Sequence, residues 1–137
     1  MKDFPENQYN TIFPNGTYSA WDLLEHIRIT QKDILDFVIN PAYKETLKWP
    51  DDYWPPKTKK ANKEDWEKTI TDFNHDLKKL QELAIDSKID LSEKIAWGEG
   101  QTIVREFHLV ADHNAYHLGE FAIMRQVMGT WGKTHDK

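Results

Sequence analysis

Apolar residues recur at helical spacing in three stretches of the chain. In the first, Leu23, Ile27, Ile34 and Val38 mark one face, and positions three or four apart are the signature of an amphipathic helix. Ser19 stands ahead of them with Asp22 three residues on, a pair able to satisfy the free N–H groups of a first turn. Asn40-Pro41 stops the run, so a helix is predicted over Ser19 to Ile39. Proline is tolerated in a first turn, and a short second helix is predicted from Pro41 to Lys48. Asn62 and Asp65 announce the next long helix, in which Trp66, Ile70, Phe73, Leu77, Leu80 and Ala84 alternate spacings of four and three. That narrow seam reads as core, and the polar residues between its members as a solvated face. The longest run goes from Thr102 to about Met128, with Gly129 where a glycine commonly closes a helix.

Between these runs the pattern breaks down. The first 17 residues, with Pro5, Pro14, Asn15 and Gly16, have no sustained period and read as an extended lead-in. Three prolines interrupt Trp49 to Pro56, yet three large aromatics in the same stretch predict an ordered loop folded back on the bundle. Packing over the bundle end is the favoured role of that loop, and a lid over a site is the other. Asp86 to Gln101 is a connection with Gly98 and Gly100, containing at most one turn around Leu91 to Ile95, and Lys133 to Lys137 reads as a frayed tail. No strand and no repeat is expected. The prediction is a single all-α domain over residues 1–137, a helical bundle with one long connection.

Composition narrows the class. A length of 137 residues suits one core, and 39% apolar residues with six Trp argue against disorder. A net charge of -5 without a basic cluster beyond Lys57, Lys59 and Lys60 predicts no nucleic-acid partner. The longest apolar run is Phe121 to Met124, so neither a membrane span nor a secretory h-region is expected. The absence of Cys removes disulfides, thiolate metal sites and a Cys nucleophile, and fits a cytoplasmic location.

The chemistry concentrates on the last helix. At roughly 100° per residue, His113 and His117 lie about 40° apart, one turn above the other, so both imidazoles can reach one point. Glu106 and Glu120 stand one heptad to either side of His113, with Leu109, Val110, Tyr116, Met124 and Val127 beside them, which reads as an inward stripe. Polar groups on a core face need partners, because an unsatisfied one costs about 1–3 kcal/mol. They can bond one another in the core or bind a metal. His26 supplies a third candidate ligand on the flank of the first helix, whereas His108, His75 and His135 read as surface or incidental. Neutral imidazole suits Zn, Ni, Fe or Cu, and three protein ligands with open positions are the pattern of a working site. Glu106, Glu120 or Tyr116 would then orient the imidazoles or handle protons. The absence of a Glu-x-x-His motif disfavours a carboxylate-bridged di-iron centre.

Trp21-Asp22-Leu23-Leu24-Glu25-His26, followed downstream by Asp112-His113-Asn114-Ala115-Tyr116-His117-Leu118-Gly119-Glu120, resembles the DinB-like family of metal-binding four-helix bundles, over nearly the whole stretch from Tyr18 to Trp131. The resemblance implies an up-down-down-up bundle in which His26, His113 and His117 coordinate a divalent ion, Zn, Ni or Fe. Glu120 replaces the family's frequent Gln and is assigned a supporting role. Relatives carry a further long helix ahead of the first His, where this chain has 17 residues, so that helix is expected to be missing or shortened. The bundle would be completed by Pro41 to Lys48 with the lead-in, by another chain, or by a preceding part of a longer natural protein.

Family members that transfer bacillithiol or isomerise with mycothiol imply a metal-dependent enzyme of small molecules that uses a low-molecular-weight thiol; hydrolysis by metal-bound water, with Glu106 or Glu120 as general base, is a variant of the same chemistry. The alternative is a bundle merely stabilised by its metal, or one that senses a small ligand. With an incomplete four-helix core, a homodimer is expected.

Overall fold

A computed structural model describes residues 1–132 and is all-α among them. Three long helices, α1 (Ala20–Ile39), α2 (Lys63–Ile85) and α3 (Ile103–Val127), are preceded and joined by irregular segments that include single 3-10 turns at Glu6–Gln8, ahead of α1, and at Asp51–Tyr53, between α1 and α2. The expected tail at Lys133 to Lys137 lies outside the described residues. No described helix is long and apolar enough to cross a membrane.

The helix ends follow their capping chemistry. Ser19 accepts from the Asp22 backbone N–H while the Asp22 carboxylate accepts from the Ser19 backbone, and Asn62 and Asp65 repeat the arrangement for α2. Thr102 caps α3, and Gly129 follows its end at φ 62°, a left-handed conformation that suits glycine.

Helix α1 is the central element and packs on both α2 and α3. One core cluster joins Trp21, Leu23, Leu24 and Ile27 of α1 to Trp66 and Ile70 of α2 and Phe121 and Met124 of α3; a second joins Ile34 and Leu35 to Leu80 and Val110. Buried Gln31 ties the three helices together, donating to the Phe73 carbonyl at 2.9 Å and accepting from the Asn114 amide at 2.9 Å. Both bonds satisfy polar groups that would otherwise be costly inside a bundle.

Three expectations are corrected. Pro41 to Lys48 forms no helix: the Asn40 side chain accepts from the Ala42 N–H, Tyr43 N–H bonds the Asn40 carbonyl, and the Tyr43 hydroxyl donates to Asp33 of α1. Those bonds hold the segment as a turn and then an irregular strap along α1, in competition with helical pairing. The lead-in is not simply extended: it turns once at Glu6–Gln8 and puts side chains into the core. Phe4 and Tyr9 are buried, the Tyr9 ring stacks on Trp66 at 4.2 Å, and Asp3 forms two hydrogen bonds with the buried Arg125 guanidinium. That pairing holds the Asp3 carboxyl well below the usual carboxylate range. Finally, the α3 stripe is not uniformly inward: Val110 and Met124 are buried, but Leu109, Tyr116 and Val127 are exposed, as are Leu118 and Ile123. Helix α1 covers one side of α3, and an apolar groove remains between α3 and α2.

The lead-in contributes to stability through its aromatics. Phe4→Ala is expected to cost about 3–5 kcal/mol in denaturant unfolding, whereas Ile12→Ala, at a site 52% exposed, should change stability by less than about 0.5 kcal/mol. Equal and small effects would show that the lead-in does not belong to the core.

Candidate metal centre

The three histidines singled out by spacing meet at one place. His26 lies in the first half of α1 and is 1% exposed; His113 and His117 lie one turn apart on α3 and are half-buried. His26 Nε2 is 3.1 Å from His117 Nε2 and 3.1 Å from His113 Nε2. Nitrogens each about 2.0–2.1 Å from a Zn ion stand about 2.9–3.4 Å apart over the range of octahedral to tetrahedral angles, so the spacing fits three ligands of one ion. These are the three residues whose ligand atoms group closely enough to hold a metal among the described residues.

The hydrogen bonds behind the rings decide what the inner nitrogens offer. His26 Nδ1 lies 2.7 Å from the Tyr53 carbonyl oxygen, which only accepts, so Nδ1 carries the proton and Nε2 presents a lone pair. His117 Nδ1 donates to the Glu120 carboxylate at 2.6 Å, with the same consequence. Two lone pairs therefore face each other at hydrogen-bond distance, an arrangement that a cation between them relieves. This is also the usual support of a metal-ligating histidine. The third imidazole is less well provided for: His113 Nδ1 is buried without a hydrogen bond.

Around the triad, the Trp54 ring stacks on His26 at 4.0 Å and 5°, and Tyr18 packs against Trp54. Burial pushes the Tyr18 phenol up to about 12, helped by the neighbouring Glu120. Burial also lowers His26, and it takes His113 down to about 4 with a further contribution from His117 and His26. Both shifts favour the neutral, metal-binding form of imidazole.

Of the two carboxylates expected to support the site, Glu120 bonds His117, whereas Glu106 is buried, bonded by Arg105, and lines a pocket that His113 also lines. Tyr116 is 67% exposed, with its ring edge on to His117. His75 and His108 are on the surface, and His135 lies outside the described residues. Tyr53 and Trp54 are additional residues at the site whose signal is the aromatic density of Trp49 to Pro56, a loop that covers His26 directly, whereas Tyr18 carries no such signal in the sequence.

A family model of the DinB superfamily matches residues 1–121, and the chain belongs to that superfamily. The chain has no significant match among curated proteins or solved structures.

The depressed histidines make the metal-free protein acid-sensitive. An unfolded imidazole takes up its proton near pH 6.5, while His113 in the fold does so only near 4. The unfolded chain therefore binds more protons through that window, and stability present above about pH 6.5 is lost as the pH falls towards 4. Denaturation midpoints of the metal-free protein should fall between pH 7 and pH 5, and His113→Asn should flatten the slope. An unchanged slope would remove His113 from the buried cluster.

Proposed function

We propose that this protein is an enzyme dependent on a divalent ion, Zn, Ni or Fe, held by His26, His113 and His117, and that it acts on a small molecule by thiol transfer or hydrolysis. The observation that carries the reading is the convergence of three Nε2 atoms, two of them committed to presenting lone pairs by the Tyr53 carbonyl and Glu120. Three protein ligands leave coordination positions for water or substrate. When bound, the metal lowers the pKa of a coordinated water or thiol and makes it a nucleophile near neutral pH.

The chain's own residues do the rest. The Tyr53 carbonyl orients His26, and Trp54, stacked on that ring, keeps water from one face of it. Glu120 holds the proton on His117 Nδ1 and is the carboxylate placed to pass protons at the centre. Glu106 acts from the wall of the neighbouring pocket, as charge facing the substrate rather than as a base at the ligands. The lack of Cys is compatible with thiol transfer, since the thiol belongs to the cosubstrate.

Replacing His26 separates a metal centre from a hydrogen-bonded core pair, because it joins two helices through the ion. His26→Ala should lose bound metal after dialysis, measured by elemental analysis of protein purified without a His tag, and should lose any stabilisation by added metal. His108→Ala, on the exposed side of α3, should retain both. Equal metal content in the two variants would refute the centre. Metal retention without turnover in a screen of small thiols against electrophiles, and of hydrolysable esters and amides, would favour the metal-stabilised, non-catalytic alternative.

The same proposal includes a homodimer. The groove between α2 and α3, about 470 Å³, is lined by apolar residues including Phe73, Leu77, Leu80, Phe107, Val110 and the exposed Leu118, and Ile123 of α3 is exposed as well. Self-association through α3 covers such a surface. Sedimentation at micromolar concentration should give a dimer that Leu118→Glu dissociates, and a wild-type monomer would overturn this part.

A further inference from the structure

Next to the triad, a pocket of about 340 Å³ opens between α1, the strap that follows it and the first half of α3. Thr30, Asp33, Tyr43, Trp49, Glu106 and His113 are among its lining residues. Its walls combine three features that select for one kind of ligand.

The first is charge. Asp33, Glu45 and Glu106 face a single cation, Arg105, whose side chain is 59% exposed and is already bonded to Glu106. The Asp33 carboxylate accepts the hydroxyls of both Tyr43 and Tyr53, at 3.0 and 2.6 Å, so those phenols spend their protons on Asp33 rather than on an incoming anion. The second is aromatic surface, from Phe37, Tyr43, Trp49 and Tyr53. Electron-rich ring faces attract cations, most strongly where water is excluded. The third is an orphan. Thr30 is 6% exposed, lines the pocket, and has a buried Oγ1 with no hydrogen-bond partner. A buried hydroxyl in that state is costly and gains from a ligand that supplies a donor.

Positive charge, N–H donors and an alkyl body that packs on aromatic rings define a primary alkylammonium. We infer that this pocket is the subsite for a primary ammonium group of the substrate, with Glu106 and Thr30 accepting from it and Trp49 packing on its alkyl body. Since His113 belongs to both pocket and triad, the substrate class is a small amine whose other end reaches the metal. That last step rests on the proposed metal centre; occupation of the pocket does not.

The test therefore uses the metal-free full chain. n-Butylammonium chloride is titrated at constant ionic strength and followed by backbone amide NMR, with 1-butanol as neutral comparator and sodium butyrate as anion. Butylammonium should shift the resonances of Thr30 and Trp49 and bind at least about tenfold more tightly than butanol, a difference of about 1.4 kcal/mol, with butyrate weakest. Glu106→Gln should weaken butylammonium about fivefold or more while leaving butanol unchanged. Trp49→Ala, at a site 69% exposed and so tolerant of truncation, should weaken both.

Equal binding of butylammonium and butanol would reduce the pocket to an apolar cleft and overturn the inference. So would tighter binding of butyrate, which would put Arg105 in control, or the absence of any shift at Thr30 and Trp49. Metal content is read separately: butylammonium binding by a protein that takes up no metal leaves the ammonium subsite standing and removes the enzymatic reading.

Discussion

Two imidazole lone pairs held 3.1 Å apart are the constraint around which the rest of the molecule is arranged. Neither His26 nor His117 can relieve the conflict by moving its own proton inward, because a backbone carbonyl holds one Nδ1 proton and a carboxylate the other. In water such a pair would rotate apart or be hydrated. Here His26 is buried in the central helix and faced by the Trp54 ring, and the shift of its acidity is dominated by burial. Relief has to come from a second proton on one of the rings or from a cation among all three. Burial penalises the charged, protonated form; a divalent ion brings its own charge and uses every lone pair.

The elements that impose this geometry were legible to different degrees. The three long helices and their caps could be read from local chemistry, because Ser19 with Asp22 and Asn62 with Asp65 act within one turn. The histidine triad could be proposed because His113 and His117 share a helix face and the Trp21 to His26 segment matched a family pattern. Pro41 to Lys48 misled because the turn bonds at Asn40 and the bond from Tyr43 to Asp33 together compete with helical pairing. Phe4 and Tyr9 misled in the opposite sense: they have no period, yet Trp66 offers them a flat apolar surface and they stack on it. Support of His26 by the Tyr53 carbonyl was beyond sequence reasoning, since a carbonyl carries no side-chain signature.

The exposed apolar residues on α3 reflect a competition within one helix. A helix of 25 residues presents its whole circumference, and α1 covers one side of it. His113, His117 and Glu120 occupy part of the side that α1 approaches, displacing aliphatic residues to its margins. Leu109, Tyr116, Leu118 and Ile123 are thus exposed on the same helix that carries two of the three clustered histidines, so the histidine cluster and the exposed apolar surface are consequences of one allocation of helix face.

The strap between α1 and α2 links support of the centre to the pocket beside it. Asp33 accepts the hydroxyls of Tyr43 and Tyr53, pinning the strap at two points, and the backbone of the second of those residues holds His26. Tyr53 is therefore a wall of the pocket through its side chain and a support of the triad through its carbonyl. Any ligand that pulls on the ring also loads the bond that sets the His26 tautomer. Both functions rely on the same carboxylate, Asp33, whose charge is shared between two phenols and kept out of direct contact with the imidazoles. Rigid support requires that both hydroxyls remain protonated, and burial together with the adjacent carboxylate raises both phenols well above their ordinary range. The two phenols therefore keep their protons while His26 and His113, both shifted down by burial, take theirs up, so the strap retains both of its donors to Asp33.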